Sequence, residues 1–416
     1  MARPAKVKGG VVTAMNGEPR IPLTVPALGE AEAAAARRVL LSGWLTQGPE
    51  VRAFEEEFAA YVGAKHAIAV TSGTVALELV LHALDVAGGE VVTVSHSFIA
   101  TANVVRRSGA MPVFVDIAPG GFNIDPDRVA AAIGPKTRAI LAVHQIGMPC
   151  DLSALVKLAE AHGRPLIEDA ACATGSEIRW RDEWQKIGKP HGAAACFSFH
   201  PRKILTTGEG GMITSGNDEL AARLRRLRMH GIDIDADIRH RSGVVIERYA
   251  EPGFNSRMTD IQAAIGRVQL TDLARTIARR RELARRYAEK LAVIPGIGVP
   301  SEPAWARSNW QSFCVRLPPG CSQFGVMNYL AAEGIASRRG ILCAHREPAY
   351  PAGSWSCTPD ASRCDCPGGR CARLTESEKA QDRSILIPLF GAMTEGELDH
   401  VAYALAEACR RCRSDV

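Results

Sequence analysis

His66-Ala-Ile-Ala-Val-Thr-Ser-Gly-Thr-Val-Ala-Leu-Glu-Leu-Val-Leu-His-Ala-Leu84 sets the pattern of the chain. His66–Val70 is a short apolar run that predicts a strand, and Ser72–Leu84 predicts a helix opening at a Ser-Gly-Thr turn. The alternation continues outward from there. Glu90–Val94 predicts a strand and is followed by a helix through Asn103 and Arg107. Met111–Val115 precedes a helix in Pro126–Ile133, and Ala139–Val143 precedes one over Leu152–His162. Pro165–Ile167 runs into the turn Glu168-Asp169-Ala170. Short strands alternating with helices need crossover connections. An α/β fold with a large, mostly parallel sheet covered on both faces follows.

Beyond Met212 the pattern predicts helix, including a long Arg-rich stretch from Thr259 to Leu291. Its apolar positions Ile261, Ile265, Val268, Leu270, Leu273 and Ile277 recur at helical spacing, and its arginines suit a solvated face. Gly296 to Pro303 is rich in Pro and Gly and suits a link into a smaller C-terminal α/β domain, with strands at Ser312–Leu317 and Ser384–Pro388. The expected division is a tail over 1–20, a large domain over 21–295 and a small one over 296–416. No internal repeat is visible.

Composition narrows the function. The 416 residues are 46% hydrophobic and 23% charged, a globular balance. A net charge of +5 with no long Lys/Arg run gives little support to nucleic-acid binding. No apolar run is long enough to span a bilayer. Met1 to Met15 lacks the sustained apolar stretch of an export signal, so a cytoplasmic location is expected. The twelve cysteines are therefore expected to be reduced, most of them as small core residues.

Three segments carry candidate chemistry. In Phe197-Ser-Phe-His-Pro-Arg-Lys203, followed by Thr206-Thr-Gly-Glu-Gly-Gly-Met212, a lysine lies between an apolar run and a Gly-rich turn. Such a lysine can serve as a nucleophile toward a carbonyl cofactor if its site favours the neutral amine. Ser198 could bond a phosphate. Taken alone, a lysine after a strand is more often a surface group. Asp169 sits at the C-terminal end of a predicted parallel strand, where α/β folds place ligands. It could pair with a protonated pyridine nitrogen or merely cap the next turn. Thr71-Ser-Gly-Thr-Val-Ala-Leu77 offers a helix N-terminus to a phosphate at Gly73 and Thr74, or is an ordinary cap.

The order of these segments, with Ser97-Phe-Ile-Ala-Thr-Ala-Asn103 between them, resembles the DegT/DnrJ/EryC1/StrS sugar aminotransferases. The resemblance extends through Gly43-Trp-Leu-Thr-Gln-Gly-Pro49, Arg228-Met-His-Gly231, Gly253–Ala264 and His345-Arg-Glu-Pro-Ala-Tyr350, nearly the whole chain. It implies the fold-type-I architecture, with a large central mixed sheet, and pyridoxal 5'-phosphate (PLP) as cofactor. Lys203 matches the Schiff-base lysine, Asp169 the partner of the pyridine nitrogen, and Ser198 a phosphate ligand. Gly73 and Thr74 match the phosphate turn and Phe98 the stacking aromatic. Asn255 matches a residue that reaches the phosphate of the neighbouring subunit, implying a homodimer. Trp44, Thr46, Arg257 and His345 are candidates for lining the substrate site. The implied reaction moves an amino group from glutamate or glutamine to a keto sugar.

Two departures stand out. Cys172 and Thr174 occupy positions where the family often has Gln and His, so Cys172 becomes a weak contact to the cofactor. Cys357, Cys364, Cys366 and Cys371 crowd an apparent insertion over about 355–372. Four thiols so close could bind zinc or an iron–sulfur centre, or stay reduced at the surface, since paired C-x-x-C spacing is missing. The family's iron–sulfur sugar dehydratases replace the cofactor lysine by histidine. Lys203 is present here, with His200 three positions away, and favours transamination.

Overall fold

The computed structural model describes residues 20–233, 246–358, 366 and 369–414. A seven-stranded sheet dominates it. In chain order its strands are β1 (His66–Val70), β2 (Glu90–Val94), β3 (Met111–Val115), β4 (Thr137–Val143), β5 (Leu166–Asp169), β8 (Ala194–Ser198) and β9 (Gly211–Ser215). A hairpin of β6 (Glu177–Trp180) and β7 (Glu183–Lys186) interrupts that series and forms a separate small sheet. The spatial order of the large sheet is β1-β9-β8-β5-β4-β2-β3, and only β9 pairs antiparallel with its neighbours.

Period-two alternation along the strands splits the sheet's side chains between two cores. Ala67, Ala69, Val92, Val94 and Met212 enter one; Ile68, Val70, Val91 and Ile213 enter the other. Helices α1 (Glu30–Ser42), α2 (Pro49–Val62), α3 (Gly73–Ala83), α4 (Ile99–Arg107), α5 (Pro126–Ala132), α6 (Leu152–Ala161) and α7 (Asp218–Leu227) precede the long α8 (Asp260–Leu291). The first core takes Phe54 and Phe58 of α2 and Leu273 and Ile277 of α8; the second takes Leu77 and Val80 of α3, Val104 of α4 and Leu224 of α7. A third core gathers Leu283, Tyr287 and Leu291 of α8 with Ile21, the strands Phe313–Arg316 and Ser384–Ile387, and the last helix, Glu395–Ser414.

The mainly parallel sheet and the long helix agree with the sequence. Two local expectations do not. Gly211–Ser215, where helix was expected to begin, is strand β9, buried along its length and paired on both sides. Asp169 closes strand β5 instead of sitting in a turn after Ile167, because Glu168 and Asp169 pair with Ala195 and Cys196.

Candidate active site

Four segments converge at the C-terminal edge of the parallel strands. Along β8 the alternation sends Phe197 and Phe199 into the core and Ser198 to the other side. Phe197 lies 5.0 Å from Phe58, and Phe199 lies 5.4 Å from Phe54, between ring centroids. Burial of each ring contributes about 1.5–3 kcal/mol, which fixes the strand end. Ser198 meets the start of α3, where a Cβ on Gly73 would lie 2.7 Å from its own Cβ. Gly211 presses the same turn from β9: a Cβ there would lie 2.5 Å from the carbonyl carbon of Ser72. Only glycine permits this approach. Ser72 caps α3 by accepting from the Val75 N–H, and Gly73 and Thr74 form its first turn.

From Ser198 the chain makes a tight excursion before β9. The Phe199 carbonyl accepts from the Thr207 N–H and Thr206 hydroxyl, and the Lys203 N–H closes a turn onto the His200 carbonyl. Lys203 Nζ lies 3.0 Å from Cys172 Sγ. Cys172 follows Asp169 by three residues, so the amine rests on the turn that leaves β5.

Asp169 is only 6% exposed. Its Oδ2 accepts from the Thr101 hydroxyl at 2.9 Å and its Oδ1 from the Ala171 N–H at 3.2 Å. Thr101 is held in turn by Ser97 Oγ at 2.8 Å. Burial raises the carboxyl's pKa, while the Thr101 and Ala171 hydrogen bonds and the positive charge of Lys203 act against the rise. The lysine and the acid are thus linked through the turn that runs from Asp169 to Cys172. Phe98, at the N-cap of α4, is 71% exposed. A buried carboxylate short of a cation, an uncovered aromatic face and a glycine cradle at a helix N-terminus fit a phosphorylated pyridinium.

A second group lies at the N-terminus of α8. Asp260 accepts from the N–H groups of Gly48, Glu50 and Val51, while Thr46 pairs with Thr259. Trp44, Thr46 and Asn255 are exposed there. Arg257 pairs with Val70, and the Ser256 carbonyl accepts from the Thr71 N–H, so this group adjoins the phosphate-type turn. His345 is not brought to an open face. Its Nδ1 bonds Ser95 Oγ at 2.7 Å, its Nε2 lies 3.1 Å from Glu378, and its ring packs on Trp355. Cys357, Cys366 and Cys371 come together some way along the chain, whereas Cys364 lies outside the described residues.

Several supports carry no signal in the sequence. Gln311 accepts from the Ile204 N–H at 3.0 Å and donates to the Arg202 carbonyl at 2.5 Å, bracketing Lys203. Asn309 donates to the carbonyls of Cys172 and Thr174, bracketing the turn after Asp169. Both act from more than a hundred residues away and form no local motif. Thr101 could have been found: it falls three residues after Phe98 in the quoted Ser97–Asn103 segment.

Residues 26–406 match the family model described as the DegT/DnrJ/EryC1/StrS aminotransferase family. Among solved structures, DesV from S. venezuelae is 34% identical, with a TM-score of 0.82 over 94% of this chain and 99% of that one. DesI, solved in the presence of its TDP-sugar product, is 31% identical, with a TM-score of 0.82 over 97% of this chain and 96% of that one. Spr1654 from Streptococcus pneumoniae, solved in its PLP form, is 26% identical, with a TM-score of 0.83 over 94% of this chain and 99% of that one. With a family match over most of its length and these neighbours on a shared architecture, the chain belongs to the DegT/DnrJ/EryC1/StrS family of PLP-dependent aminotransferases.

Proposed function

We propose that the enzyme takes an amino group from glutamate, or glutamine, and places it on a nucleotide-linked 4-keto-6-deoxy sugar, for polysaccharide or glycoconjugate synthesis in the cytoplasm. The observation that carries the reading is the lysine amine resting on Cys172, in the turn that leaves the buried Asp169 at the end of β5. The sugar acceptor rests on the family, and its nucleotide link on the product found with DesI.

PLP, when bound, supplies a carbon that accepts and releases nitrogen and a ring that holds developing negative charge. Lys203 Nζ would hold it, then carry the proton to and from the reacting carbon as a general acid–base. Asp169 would keep a proton on the ring nitrogen, and Phe98 would cover one ring face. Gly73, Thr74 and Ser198 would hold the phosphate, joined by Asn255 from the other subunit of a homodimer. Cys172 Sγ steadies the Lys203 amine. Trp44 and Thr46, both exposed, and the half-buried Arg257 supply groups for the sugar nucleotide, while the enclosed His345 acts only as a support.

The test is to incubate the enzyme with glutamate or glutamine and a panel of nucleotide-4-keto sugars and keto-cyclitols, following release of the oxo acid. Amination of a keto sugar, with turnover and the near-visible cofactor absorbance both lost in Lys203→Ala, is the expected result. Turnover only with a cyclitol would replace the acceptor. Deoxygenated product would replace the reaction. A Lys203→Ala enzyme with unchanged turnover and spectrum would remove the lysine assignment.

A further inference from the structure

The cysteine-rich segment does work that transamination does not use. Ser356 pairs with Val113, donating its N–H to the Pro112 carbonyl at 3.0 Å and accepting from the Phe114 N–H at 2.7 Å. Strand β3 is the outer strand of the large sheet, so this short piece of chain covers its exposed edge. Trp355 packs on Phe114 with ring centroids 5.6 Å apart. On the far side of the segment, Asp116 accepts from the N–H groups of Glu376 and Ser377, tying the helix Thr375–Arg383 to the end of the same strand.

Between those anchors sit three thiols. The sulfurs of Cys357, Cys366 and Cys371 lie within 4.8 Å of one another. None is in a disulfide. Cys371 is buried and the other two are half-buried. A tetrahedral zinc with bonds of about 2.3 Å sets its sulfurs about 3.8 Å apart, within reach of this grouping. An iron–sulfur cluster has several irons between its thiolates and needs them spread wider. The Cys371 N–H donates to Glu378 Oε1 at 2.6 Å. Glu378 is also engaged by His345 at 3.1 Å and Arg346 at 3.1 Å, so it orients the cysteine backbone and is not itself a ready ligand.

We propose that Cys357, Cys366 and Cys371 bind one zinc ion as thiolates, a structural site that clamps Trp355–Cys357 over the edge of strand β3. Three soft thiolate donors select zinc over hard cations, with the fourth position of the ion left to water. The third thiol distinguishes this from a pair awaiting oxidation. With a divalent cation present the three sulfurs ionise, and binding releases their protons. Through Glu378 and His345 the clamp also reaches Ser95, just beyond strand β2, so it braces the sheet from outside the cofactor site.

The holoenzyme purified without chelator is the material for the test. Elemental analysis is expected to find about one zinc per chain, and alkylation of the native protein should spare Cys357, Cys366 and Cys371 until a zinc chelator is added. Cys357→Ser and Cys366→Ser, at the two half-buried positions, should each lose the zinc while keeping helical circular dichroism and bound-cofactor absorbance. They keep the test open if Cys371→Ser fails to fold. Absence of zinc with freely alkylated thiols, a disulfide among the three, iron in its place, or zinc retained by both variants would each overturn the site.

Discussion

Two buried charges, Asp169 at the sheet edge and Arg280 in the middle of the long helix, are treated by the fold in opposite ways. Arg280 is 4% exposed and has no acidic partner among the described residues; its guanidinium donates to the carbonyls of Trp310 and Gln311 at 2.8 Å and of Leu389 at 2.9 Å. Burial pushes its pKa down to about 10, which still leaves it charged at neutral pH. The chain satisfies this cation with its own backbone, so it is a strut. Asp169 accepts two hydrogen bonds, and burial still drives its pKa upward. That acid is left short of positive charge, the condition of a group built to meet a ligand. The strut also serves the site, because one of its carbonyls belongs to Gln311, which brackets Lys203.

If the contrast is right, the two residues fail differently when replaced. Asp169→Asn should lower kcat by about 10²–10³-fold, the scale of losing one preorganised electrostatic contact at a reacting group. Cofactor should still bind, as its absorbance will report. A variant retaining more than a tenth of wild-type turnover would make Asp169 a turn cap. Arg280→Met should instead cost stability, about 3 kcal/mol from three buried carbonyls left without donors, partly offset by removing a buried charge. A urea midpoint that barely moves would mean that the carbonyls find other donors.

With its pKa raised on folding, Asp169 binds its proton more tightly in the folded chain than in the unfolded one. Cofactor-free protein therefore loses stability as pH rises through the folded value. Asp169→Asn should raise the melting temperature of cofactor-stripped enzyme at pH 8 by about 1–3 °C. The gain should vanish below the ordinary carboxylate range. A loss at every pH would show that hydrogen bonding, and not charge, dominates at this position.

Much of this was legible in the residues. Runs such as Ile68–Val70 and Val91–Val94 are apolar because both faces of their strands are covered, and that pattern is local. The lysine, the acid and the helix cap stand out as candidates because each lies in a short stretch that folds onto itself. Gly211–Ser215 misled because its glycine, which permits the contact with Ser72, also weakens the strand signal. Asn309 and Gln311 were invisible because their clients lie on another part of the chain. The burial of His345, named as a candidate for lining the substrate site, could not be read locally because it depends on Ser95, far along the sequence, as well as on Trp355 and Glu378.

The 32-residue helix Asp260–Leu291 has a mechanical consequence. Its length of about 48 Å makes it a beam rather than a hinge. One end is rooted through Ala263, Leu273 and Ile277 in the sheet's core, and the other through Leu283, Tyr287 and Leu291 in the C-terminal core. Opening the two like jaws would require bending the beam and breaking its internal hydrogen bonds. The beam therefore holds the sheet's core and the C-terminal core at a fixed spacing.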